Sequence, residues 1–82
     1  MKILVEISMY PFAEDFKAPI LSFIKKLNSY PGLQTSTSPT STLISGDYEH
    51  VMQVLKEMLA WSYAEHGRAV YVTKFIPGMT PE

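Results

Sequence analysis

The chain has 82 residues, too few for two separately cored units, so a single domain spanning 1–82 is expected. It is 46% hydrophobic and 18% charged with a net charge of −1, which excludes a disordered chain and offers no basic footprint for nucleic acid. There is no cysteine, which rules out disulfides and cysteine-held zinc.

The N-terminal run MKILVEISMY is broken by Glu6, and no apolar stretch approaches the roughly 20 residues that span a bilayer. Neither a signal peptide nor a membrane association is expected, and the default location is cytoplasmic. Residues 2–10, KILVEISMY, alternate between two faces. Ile3, Val5, Ile7 and Met9 fall on one side, and Lys2, Leu4, Glu6, Ser8 and Tyr10 on the other, the period of a strand. Pro11 ends it, having no N–H for a ladder.

The period then changes. Phe16, Ile20, Phe23, Ile24 and Leu27 recur at helical spacing, with Lys17, Lys25 and Lys26 left for water. Pro19 is tolerable only in a first turn, so the helix is expected to begin near Asp15 and to stop at NSYPG. The hydroxyl-rich segment TSTSPTST, residues 35–42, follows. A loop there would leave a long structureless connection inside a small domain, and loop-length priors favour two strands that bend at Ser38-Pro39.

TLISG leads into a second helical pattern with Asp47 as its N-cap candidate. Val51, Val54, Leu55, Met58, Leu59, Trp61 and Ser62 form its inward stripe, and Gly67 is a plausible stop. RAVYVTKFI reads as a last strand closed by Pro77-Gly78. The order βαββαβ predicts an α+β ferredoxin-like sandwich: a four-stranded antiparallel sheet with both helices on one face. The other face would then be open and partly apolar, through Leu4, Tyr10 and either Val70 and Val72 or Tyr71 and Phe75. Such a face points to homo-oligomerisation through the sheet.

Little in the residues points to catalysis. His50 and His66 are too far apart to form a metal pair; His66 reads more simply as a favourable charge against the helix dipole or as surface, and His50 as surface or core filling. Asp47 and Glu49 suit a helix start rather than a carboxylate dyad. No glycine-rich phosphate loop exists. The segment MYPFAED after the first strand lacks the arginine an acylphosphatase-like site needs. TSTLIS lacks the aromatics and basic residues of an RNA-recognition sheet. No catalytic residue, metal or cofactor is expected. Glu6 stands apart as an acid between apolar neighbours, expected to face either water or a partner. The hydroxyl row has two readings. Ser and Thr can pair across the ladder, or they can read a neutral polar heterocycle without a buried charge.

SMYPFAEDF with FIKKLN, TSTLISGDYEHVMQVLKEML and, after Gly67, RAVYVTKFIPG together resemble the YkoF-like thiamine-binding protein family. The features that carry the resemblance are Ser8 with Tyr10-Pro11, Thr40-Ser41-Thr42 four residues before Gly46, Glu49-His50-Val51 at a helix start, and Pro77-Gly78. The resemblance implies a ferredoxin-like domain that binds thiamine or its hydroxymethylpyrimidine precursor without catalysis, in transport, salvage or buffering. It also implies a single repeat of the kind that associates. An aminopyrimidine could be met by Ser8, Thr40, Ser41 and Thr42, and a thiazolium by Tyr10 and Glu6. In this expectation Glu6, Ser8 and Tyr10 lie beside Thr40 and Thr42 on neighbouring strands. The alternative is a structural or regulatory homo-oligomer with no dedicated small ligand.

Overall fold

The alternating segment at the N-terminus forms β1 (Lys2–Pro11), and it runs through the middle of the sheet in the computed structural model, which describes residues 1–81. The remaining elements are α1 (Lys17–Leu27), β2 (Gln34–Thr37), β3 (Thr42–Asp47), α2 (Tyr48–His66) and β4 (Ala69–Pro77). The strands lie in the order β2-β3-β1-β4, and every neighbouring pair is antiparallel. This is the predicted βαββαβ arrangement, with the hydroxyl-rich segment folded into two strands and a turn.

The register decides which residues share a face. Val5 stands opposite Ile44 on β3 and Phe75 on β4, and Ile7 opposite Thr42 and Thr73. Because strand side chains alternate, these belong with Ile3 and Met9 on the helix side. Ile3, Val5, Ile7 and Ile44 are buried there against Phe23 and Leu27 of α1 and Val51, Val54, Leu55 and Met58 of α2. Glu6 stands opposite Leu43 and Lys74, Leu4 opposite Ile76, Ser8 opposite Val72 and Tyr10 opposite Val70, and these form the open face. Of the two alternatives for β4, the sheet therefore exposes Val70 and Val72, while Tyr71 and Phe75 turn toward the helices.

The helix ends depart slightly from expectation. The first helix begins two residues later than Asp15, and Asp15 instead accepts the Lys17 amide at 3.2 Å from outside it. Pro19 lies in the first turn, where its missing N–H costs nothing. Asp47 occupies the N-cap position of α2 without a side-chain cap hydrogen bond, and the Tyr48 amide donates to the Met1 carbonyl at 2.9 Å. Gly67 ends α2 at φ 78°, a left-handed value that glycine adopts freely. Leu59, expected in the inward stripe, is 44% exposed, because it lies on the flank of α2 that overhangs the edge strand β4.

Candidate functional site

A turn is the first component of the site. Ser38-Pro39-Thr40-Ser41 links β2 to β3, closed by the Ser38 amide donating to the Ser41 carbonyl at 2.8 Å. Proline presets the dihedral of the second turn position, and the Ser38 hydroxyl accepts from the Thr40 and Ser41 amides at 3.4 and 3.3 Å. This turn leans over the end of β1, where the Ser8 hydroxyl donates to the Thr40 carbonyl at 2.9 Å.

Beneath the turn lies a cleft of about 470 Å³, bounded by the end of β1, the start of α1 and the β2–β3 hairpin. That volume is in the range of small-molecule sites. One wall is apolar, made by Phe16, Ile20, Phe23 and Ile24 of the α1 side. The facing wall is formed by Thr37, Ser38, Thr40, Ser41 and Thr42, with Ser8 and Tyr10 at the strand end. None of the residues that line it is charged. Thr37 and Thr42 are register partners on the helix side of the sheet, and their hydroxyl oxygens are 3.2 Å apart. They share one hydrogen, which leaves a donor hydrogen and free lone pairs for a ligand.

Five of the six residues expected from the sequence line this cleft: Ser8, Tyr10, Thr40, Ser41 and Thr42. Glu6 does not. Its carboxylate takes Lys74 Nζ at 3.3 Å on one oxygen and the Ser41 hydroxyl at 3.3 Å on the other, on the open side of the sheet. The expected grouping of Thr42 with Glu6, Ser8 and Tyr10 is corrected by the pleat. Thr42 stands opposite Ile7, so its side chain belongs to the opposite face. Thr40 and Ser41 belong to the turn rather than to a strand. Thr37 is the residue that sequence reasoning passed over, together with the Phe16–Ile24 wall, which reads in sequence as a plain core stripe. The signal that could have found Thr37 is the hairpin register: a bend at Ser38–Ser41 makes it the partner of Thr42.

The other hydroxyls and His50 have structural work. Thr35 donates to Asn28 Oδ1 at 2.6 Å. His50 Nε2 lies 2.7 Å from the Pro31 carbonyl, which ties the α1–β2 loop to α2, and a side chain at Gly32 would press on its ring. Among the described residues no group of three or more His, Cys, Asp or Glu is placed to hold a metal ion, and no helix is long and apolar enough to cross a membrane. A second cleft, of about 510 Å³, lies between α2 and β4 against Met52, Leu55, Leu59 and Phe75, but Lys56, Tyr71 and Thr73 supply its few polar atoms.

The model of the YKOF-related family matches residues 2–75. A crystal structure of a Streptococcus pneumoniae protein superposes with a TM-score of 0.86 at 22% identity, over 96% of this chain and 89% of that one. A Thermotoga maritima protein, whose proposed role is thiamine biosynthesis or salvage, gives 0.83 at 26% identity over 92% and 82%. A hypothetical protein of Methanocaldococcus jannascii gives 0.79 at 20% identity over 99% and 84%. No curated protein sequence matches the chain.

Proposed function

The chain belongs to the YKOF-related family, and from that premise we propose that it binds thiamine or a hydroxymethylpyrimidine-type precursor without transforming it, in transport, salvage or buffering. The observation that carries this reading is the composition of the cleft: a hydroxyl wall facing an aromatic and aliphatic wall, with no charged lining residue. A planar aminopyrimidine presents ring nitrogens and an amino group at its edge and apolar faces on either side. Hydroxyls both donate and accept, so Thr37, Thr42 and Thr40 suit the edge, while Phe16 and Phe23 suit the faces. Tyr10 at the mouth offers a ring to a thiazolium cation, and Glu6 offers a carboxylate one hydrogen bond away through Ser41. The Thermotoga maritima relative supports the same ligand class.

No carboxylate, histidine, lysine or cysteine lines the cleft to activate a hydroxyl, and the reading is one of binding alone. The test is a thermal-shift titration with thiamine, hydroxymethylpyrimidine and the thiamine phosphates. A ligand at about 100 times its dissociation constant stabilises the fold by about 2.7 kcal/mol. The expected result is a saturable rise in the unfolding midpoint with the first or second compound. No rise with any of them would select the second reading, a structural or regulatory homo-oligomer, which the exposed apolar residues of the sheet favour.

A further inference from the structure

The helices do not cover their side of the sheet evenly. α2 packs on β3 and β1 and leaves a trough between its own flank and the edge strand β4. On α2, Met52, Leu55, Lys56 and Leu59 recur at helical spacing and line that trough, and on β4, Tyr71, Thr73 and Phe75 alternate onto the same side of the sheet. Ile7 and Leu55 are buried at its base, whereas Met52, Leu59 and Phe75 are 36%, 44% and 47% exposed. The cleft holds about 510 Å³, within the range of small-molecule sites. Of the residues that line it, Lys56 alone is charged. The adjoining cleft of about 290 Å³ shares Leu59 and Tyr71 with it, and there Arg68 alone is charged. No carboxylate lines either one, although the chain as a whole carries a net charge of −1. Among the described residues Lys56 has no ion-pair partner.

We propose that the cleft between α2 and β4 is a second binding site, for a small amphipathic carboxylate whose apolar body lies among Met52, Leu59 and Phe75 and whose head meets Lys56. The driving force is burial of that body against side chains that otherwise stay in water. Lys56 sets the sign of the head. It is exposed and therefore stands at the rim, where a cation favours an anionic head over a neutral one and repels a cationic one. With no carboxylate among the lining residues, nothing offsets that preference. Thr73 offers a hydroxyl from the β4 side that can donate to the same head. The Tyr71 hydroxyl is already committed to Ser62 at 2.6 Å, so Tyr71 shapes the wall rather than reading the ligand. Met52 is unbranched and can repack around bodies of different outline. The preference for an anion separates this site from the first cleft, whose lining is uncharged, and it does not rest on the ligand bound there.

The experiment titrates the isotope-labelled protein with octanoate, octanol and octylammonium, which share an apolar body and differ in the head. Backbone amides are followed by nuclear magnetic resonance, with each probe kept below its micelle concentration. Octanoate should bind saturably and shift the amides of residues 52–59 and 71–75. Octanol should bind about three- to fivefold more weakly, and octylammonium more weakly still. K56M keeps an unbranched stem at an exposed helix position and should bring octanoate down to the level of octanol. K56E should invert the order, so that octylammonium binds best, a result that a merely greasy surface would not produce. Circular dichroism checks that both variants are folded. Equal affinity for the three heads, an order unchanged in K56E, or shifts that fall instead on Val70, Val72 and Ile76 of the open face would each overturn the proposal. So would the absence of saturable octanoate binding, whether or not light scattering reports a second copy of the chain covering the cleft.

Discussion

Thr37 and Thr42 show how a hydroxyl can hold a cleft wall and yet stay free to read a ligand. Thr42 is 6% exposed, and its oxygen satisfies itself on Thr37 at 3.2 Å, so neither group is orphaned. A ligand edge can use the hydrogen the pair does not share without breaking the bond between them. Valine has nearly the shape of threonine but no hydroxyl, so T37V and T42V test the polar contribution alone. Each lost hydrogen bond is worth about 0.5–1.5 kcal/mol, a fall in ligand affinity of roughly 2- to 12-fold. Titration calorimetry of the two single variants and the double should reveal coupling between them, since either change alters the hydrogen the other can donate. Wild-type affinity in all three would remove the pair from the site.

The elements are tied by few side-chain bonds, and one of them joins α2 to the edge strand. The Tyr71 hydroxyl donates to Ser62 Oγ at 2.6 Å, and its ring lies 5.6 Å from that of Phe23. Ser62 is fully buried, so its oxygen depends on that one partner. Y71F keeps the ring and removes the bond. It should lower the unfolding free energy by about 1–3 kcal/mol, the cost of an unsatisfied buried polar group, with an unchanged denaturant slope. Equal stability would mean that Ser62 finds another partner. At the same scale, the sequence placed every element and missed its ends by small amounts. Helix caps were the weak point: whether Asp15 or Asp47 takes an amide depends on how the preceding loop or strand directs its carboxylate, and neither residue type nor spacing encodes that.

At the scale of the molecule, a domain of this length buries only a modest share of its surface, and the apolar residues left on the open face add to that deficit. Association through that face would link folding to concentration. The unfolding midpoint of the wild type is expected to rise as protein concentration rises, whereas that of V72D should stay constant. Calorimetric scans over a hundredfold dilution series measure both, and a midpoint independent of concentration in the wild type would count against an assembled native state.

The sequence by itself determined the order of elements and the inward face of each. Hydrophobic period is a local property, and the alternation of Ile3, Val5, Ile7 and Met9 or the spacing of Phe16, Phe23 and Leu27 records it directly. The turn at Ser38-Pro39 was legible for the same reason, because its chemistry lies within four residues. Only the tertiary structure decided which hydroxyls share a cleft. Thr42 and Ser41 are adjacent in the chain, yet the pleat sends one toward Phe23 and the other toward Glu6, and the strand pairing alone brings Thr37 to the first and Lys74 to the second. Register is a long-range fact, set by which strands meet and with what offset, and no single segment carries it.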